Sequence, residues 1–171
     1  MRSEIGRRAL LILGFMMVLA GCGFHLRGNV SFPEAYRTAF VENNGPAYSR
    51  DSVEFYLKRQ LGSELRFVNN REDADLIIDI DEGYDTRVTA SSLNGERRSY
   101  TTDIFAQIKV TDSQGGIILP ASRFTRSRDF SIDEKEPLAK TTAEAAIRRD
   151  LADDLSRVFI RRLIAVMKAK Q

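Results

Sequence analysis

The stretch "ADLIIDIDEGYDTRVTAS", residues 74–91, alternates along most of its length. Ala74, Leu76, Ile78, Ile80, Tyr84 and Val88 share one parity, whereas Asp75, Asp79, Asp81, Asp85 and Arg87 share the other. Successive strand side chains point to opposite faces, so this period describes a strand with one apolar face and one wet face. The apolar face needs a cover, which constrains everything that follows. "SSLNGERR" comes next, with Asn94-Gly95 as a strong hairpin-turn signal. "RSYTTDIFAQIKVTD" repeats the pattern, with Tyr100, Ile104, Ala106, Ile108 and Val110 facing inward. "SQGG" turns the chain again. "IILPASRFTRSRDF" reads as the last strand, where Pro120 marks an edge or a bulge.

The cover comes from the flanks. From about Glu136 to Lys168 the period changes: Ile147, Leu151, Leu155, Val158, Phe159, Leu163 and Val166 form a helical stripe, and Pro137 suits a first turn. About thirty residues at roughly 1.5 Å each give a helix near 45 Å, long enough to cover the whole sheet. Upstream, "YRTAFVEN", Tyr36 to Asn43, favours a short strand, and "NNGP" turns the chain. Ser49 or Asp51 is then placed to cap a helix ending near Leu61, with Val53, Tyr56, Leu57 and Gln60 or Leu61 at helical spacing and Gly62 as its stop. "LRFVNN" leaves room for one extra short strand. The expected fold is therefore an α+β two-layer sandwich: a mainly antiparallel four-stranded sheet covered by two helices, in the order β-α-β-β-β-α.

The first residues carry a different message. Arg2, Arg7 and Arg8 precede the uncharged run "ALLILGFMMVLA", and small Ala20 and Gly21 follow. This is a secretory signal layout. Twelve helical residues reach only about 18 Å, short of a hydrocarbon core of about 30 Å. "LAGC", Leu19 to Cys22, resembles a bacterial lipobox, and Cys22 is the only cysteine in the chain. A lone cysteine in an exported protein has no disulfide partner of its own, and a thiol is the nucleophile that lipid attachment requires. The reading is a signal at 1–21, a lipid-anchored extended leader at 22–35 and one domain at 36–171. The lipobox resemblance implies N-acyl and S-diacylglycerol lipid on Cys22. Among bacterial lipoproteins an aspartate after the cysteine marks inner-membrane retention, and Gly23 in its place resembles the outer-membrane class.

Residues 1–21 hold three of the 26 basic and one of the 24 acidic residues, so residues 22–171 hold 23 of each. A balanced charge gives no argument for nucleic acid, and any anion must be met by a local patch. Asp79, Asp81 and Asp85 have the spacing of a wet strand face rather than of a cation loop, so no metal is expected. The only histidine, His25, lies in the leader without a partner, and Gly115-Gly116 precedes no helix that would make it a phosphate loop. Enzymatic function has little support. The long helix, with basic Arg148, Arg149, Arg157, Arg161, Arg162, Lys168 and Lys170, fits a membrane-surface helix, but its apolar stripe is more simply the cover of the sheet.

The basic residues of the strands say more. Arg87, Arg97 and Arg98 flank one turn, and Phe124, Arg126, Arg128 and Phe130 share one parity of the last strand, with Lys109 and Arg123 nearby. Guanidinium forks suit phosphate. A salt-bridged, solvated face accounts for the same residues equally well.

"CGFHLRG", Cys22 to Gly28, resembles the start of mature proteins of the LptE (RlpB) family, the lipopolysaccharide-assembly lipoproteins of Gram-negative outer membranes. The resemblance implies two helices against a mainly antiparallel sheet. It implies a plug inside the outer-membrane β-barrel LptD, assistance to that barrel's assembly, and lipopolysaccharide binding during insertion in the outer leaflet. The partners implied are an LptD-type barrel, lipopolysaccharide and, through the anchor, outer-membrane lipid. The site is the cell outer membrane, on the periplasmic side and in the barrel lumen. Carried to this chain, the lipid sits on Cys22, and lipopolysaccharide falls to Arg87, Arg97 and Arg98, with Lys109, Arg126 and Arg128 as second choices. The alternative is an outer-membrane lipoprotein scaffolding a different envelope transport or secretion complex.

Overall fold

A computed structural model describes residues 32–33, 35–45, 51–92, 97–133, 135 and 138–169, all within the unit Ser31–Gln171. The elements are β1 (Thr38–Asn43), α1 (Val53–Leu61), β2 (Arg66–Phe67), β3 (Leu76–Ser91), β4 (Arg97–Asp112), β5 (Ile117–Asp133) and α2 (Ala139–Ala169), with a short 3₁₀ turn at Arg71–Asp73. One mixed five-stranded sheet has the order β2-β1-β3-β4-β5. The α+β class, the element order and the extra short strand at residues 66–67 all agree with the sequence reading.

The long strands form two antiparallel pairs, with Ile80 opposite Ile108 and Ile104 opposite Arg126. The β4–β5 turn depends on Gly115, whose φ of +81° suits a residue without a side chain. Asp112 ties that turn with its carboxylate, accepting from Gln114 N at 2.9 Å and Gly116 N at 2.6 Å. Around Pro120 the register with β4 slips between Ile108 and Val110, so the proline marks both an edge strand and a bulge.

One expectation changes at β1. It runs parallel to β2 and to β3, pairing Ala39 with Leu76 and Asn43 with Ile80. The cause is α1, which returns the chain to the end where β1 began, as parallel neighbours require. Asp75 locks that end: one of its carboxylate oxygens accepts from Arg37 N at 2.9 Å, Thr38 N at 2.8 Å and the Thr38 hydroxyl at 2.8 Å.

The α1 cap also differs from the expectation of Ser49 or Asp51. Ser52 holds the extended N-cap position, and its Oγ accepts from Phe55 N at 3.1 Å. Asp51 instead pairs with Arg148 at 3.4 Å, and Ser49 lies outside the described residues.

The core lies between the sheet and both helices. Leu76, Ile78, Ile80, Ile104, Ala106, Ile108 and Val110 meet Val53, Leu57 and Leu61 of α1 and Leu151, Leu155, Phe159 and Leu163 of α2. The long helix does not cover the whole sheet. It packs over β4 and β5 and beside α1, while α1 sits over the β1–β3 side through bonds to Asn43 and Glu82. Val88 has the inward parity yet is 54% exposed: the pairing with β1 ends at Ile80 and α2 packs over β4 and β5, so this part of β3 is a bare edge.

Candidate functional site

The last pairing between β1 and β3 is at Ile80. Beyond it, β3, β4 and β5 continue as a three-stranded ribbon to Ser91, Arg97 and Asp133. Five of the six candidate residues fall on this ribbon. Arg126 lies level with Ile104 and Tyr84, Arg128 with Thr102 and Thr86, and Arg87 with Thr101. Arg98 is opposite Ser91 and Ile132, and Arg97 is opposite Asp133, at the very end. Lys109 is not brought to them. It sits opposite Asp79, towards the other end of the sheet.

The ribbon also divides its arginines between two faces, since directly opposed residues share a face. Arg126 and Arg128 share the helix-covered side with Ile104 and Thr102. Arg87 belongs to the open side with Thr101 and Asp103.

Local partners decide what each guanidinium is able to do. Arg87 donates to Asp103 and lies 3.8 Å from Asp85. That bond raises the pKa of Arg87, and the Ser127 hydroxyl together with Arg87 holds the Asp103 carboxyl below the usual range. Arg128 bonds Asp150 of α2 at 2.7 Å and lies 4.0 Å from Asp154. Arg126 donates to the Thr125 carbonyl at 3.1 Å. Arg97 and Arg98 are exposed. Arg123, in the basic group but outside the six, stacks on Phe105 at 4.3 Å.

Beneath the ribbon the interior turns polar. Thr102 is fully buried, and its hydroxyl lies 2.9 Å from that of Thr86, which donates to Glu144 at 2.9 Å. Lys140 lies over the ring of Tyr100, which stacks on Phe130 at 5.3 Å. These contacts fix α2 over the ribbon and escaped the sequence reading. Alternating Thr and Tyr at inward parity was the available signal.

Asp79, Asp81 and Asp85 spread along the open face, with Asp79 3.5 Å from Arg71. Among the described residues, no group of three or more His, Cys, Asp or Glu is placed to hold a metal ion, and no helix is long and apolar enough to cross a membrane. Cys22, His25, the leader motif and the Asn94-Gly95 turn lie outside the described residues.

The family model described as LptE, lipopolysaccharide-assembly, matches residues 36–163, from before β1 through most of α2. The chain belongs to the LptE family. The family is one of assembly lipoproteins rather than enzymes. The LPS-assembly lipoprotein LptE of Photorhabdus laumondii is 30% identical over 94% of this chain and 87% of its own length. The LPS-assembly lipoprotein LptE of Yersinia enterocolitica is 28% identical over 96% and 79%. Among solved structures, lipoprotein B from Nitrosomonas europaea is 20% identical, with a TM-score of 0.65 over 86% of this chain and 94% of that one. Rare lipoprotein B from Shewanella oneidensis is 13% identical, with a TM-score of 0.58 over 78% and 98%. These structural likenesses show that the LptE-family chain shares their helix-on-sheet fold.

Proposed function

We propose that this chain is the lipid-anchored member of an outer-membrane lipopolysaccharide-assembly complex. It sits as a plug inside an LptD-type β-barrel, assists that barrel's assembly and binds lipopolysaccharide as it enters the outer leaflet. The anchor on Cys22 raises the effective concentration beside the membrane. The lumen of such barrels is polar, and a domain with equal numbers of acids and bases and a wet open sheet face suits it.

The observation that carries the lipopolysaccharide part is the gathering of Arg87, Arg97, Arg98, Arg126 and Arg128 on one ribbon. Exposed Arg97 and Arg98 meet lipid A phosphates by two-pronged hydrogen bonding and compete with the divalent ions that bridge neighbouring molecules. Arg87 and Arg128, already held by carboxylates, shape the ribbon. Lys109 takes no part in this reading.

The test is affinity purification of the tagged lipoprotein from outer membranes in mild detergent, with partner identification and a probe for bound lipopolysaccharide. A stoichiometric LptD-type barrel is expected, and its absence sinks the plug. Arg97→Glu with Arg98→Glu is expected to keep the barrel and lose lipopolysaccharide. Unchanged retention removes the hairpin end from the site.

A further inference from the structure

The sheet has two unlike edges. At one, β2 is only two residues long, which blunts it. At the other, β5 is 17 residues long, and among the described residues no strand lies on its outer side. Natural sheets guard such an edge, because its main-chain donors and acceptors invite another strand. Here Pro120 and the bulge guard only the start. From Ser122 to Asp133 the pairing with β4 runs without a register shift.

The side chains along this regular stretch select what can pair with it. Residues 121–128, "ASRFTRSR", carry three arginines and no acid. Arg123 belongs to the open face, and Arg126 and Arg128 belong to the helix-covered face. An added strand would thus meet positive charge on both of its faces. A second copy of the chain would set arginines against arginines, which is unfavourable. An extended segment bearing aspartate or glutamate meets complementary charge, with Phe124 between Arg123 and Thr125 offering an apolar contact.

We infer that the outer edge of β5, over Ser122–Arg128, is a strand-addition site for an extended acidic polypeptide segment of a partner protein. Main-chain hydrogen bonds hold the segment, and Arg123 and Arg126 select its charge, Arg128 being held by Asp150. The same arginines keep the edge from pairing with itself. Arg126 and Arg128 also belong to the ribbon of the lipopolysaccharide reading, but phosphate contact there falls to Arg97 and Arg98 at its far end.

The test uses the full lipoprotein in detergent and a short fluorescein-labelled peptide of alternating valine and glutamate. Three peptides are compared by fluorescence anisotropy: this one, the same peptide N-methylated at every second residue, and one with lysine for glutamate. The unmethylated acidic peptide is expected to bind at least about tenfold more tightly than either control. Arg126→Glu is expected to weaken it by about tenfold with an unchanged circular dichroism spectrum, and Arg123→Gln with Arg126→Gln serves if the first variant misfolds. Equal binding of the N-methylated peptide overturns strand addition in favour of simple charge attraction. A failure of the acidic peptide to bind overturns the site. A concentration-dependent dimer in sedimentation that the peptide cannot dissociate assigns the edge to a second copy instead.

Discussion

The carboxylate of Glu82 accepts the main-chain N–H of Val53 at 2.7 Å, so an acid on the apolar side of β3 holds the first turn of α1. Its other oxygen accepts from Asn43 Nδ2 at 2.5 Å at the end of β1. One side chain, only 5% exposed, thereby ties two strands to a helix. The chain after β1 passes so close that a Cβ on Gly45 would lie 2.5 Å from the Glu82 carbonyl oxygen, which is why a glycine stands there.

Burial pushes the Glu82 carboxyl above the ordinary glutamate range, against the opposing pull of the Val53 and Asn43 bonds. A raised folded-state pKa means that protonation favours the fold, so this group's contribution declines as pH rises through that pKa. Replacing Glu82 by Gln removes the dependence. We expect the melting temperature of the variant, relative to wild type, to climb between mildly acid and mildly alkaline pH. Calorimetry across that range checks it, and a flat or falling difference refutes it.

Asp75 has the opposite sign. The Arg37 N–H, then the Thr38 hydroxyl and N–H, hold its carboxyl below the usual range. Its contribution is present above the unfolded pKa and disappears as pH falls through the folded one. Asp75→Asn is expected to cost about 1 kcal/mol at neutral pH, a low figure because the group is partly exposed to solvent. Urea unfolding at neutral and acid pH should show that cost shrinking in acid.

Phe159 is fully buried and meets Phe124 edge-on at 5.8 Å. Phe159→Ala is expected to cost about 3–5 kcal/mol, the range for removing a core aromatic. Arg157→Ala, one helical face away and exposed, should stay within about 0.5 kcal/mol. Paired denaturant titrations separate the two, and similar values would place Phe159 outside the core.

The Arg128–Asp150 pair joins β5 to α2 but is largely exposed. A double-mutant cycle should return a coupling under about 1 kcal/mol that falls further in high salt. A larger, salt-insensitive coupling would mean that the seam between helix and ribbon is drier than its exposure implies.

The meander β3–β4–β5 and the long helix were legible because each is set by local signals: alternation, the turn at Gly115 and a stripe from Ile147 to Leu163. Pairing between distant segments was not. Nothing in Thr38–Asn43 tells whether its neighbour runs parallel, since the answer depends on where α1 returns the chain. The cap expected at Ser49 or Asp51 falls instead on Ser52, because the backbone is extended there, immediately before Val53. Glu82 sat at an inward parity that reading for apolar residues passed over. The arginines were found as a group, but their division between faces required the strand register, which hairpin length and the irregularity between Val88 and Ala90 determine.

The parallel β1 has a consequence in time. Strands β3, β4 and β5 pair with near neighbours along the chain, and such contacts close early. Thr38–Asn43 must wait for Leu76–Ile80, more than thirty residues downstream. In pulse-labelled hydrogen exchange during refolding, protection should reach residues 97–133 before it reaches Thr38–Asn43. The first of these strands to be synthesised is thus the last of the three central ones to be sealed in, and until then the main-chain edge of β3 from Leu76 to Ile80 stands open.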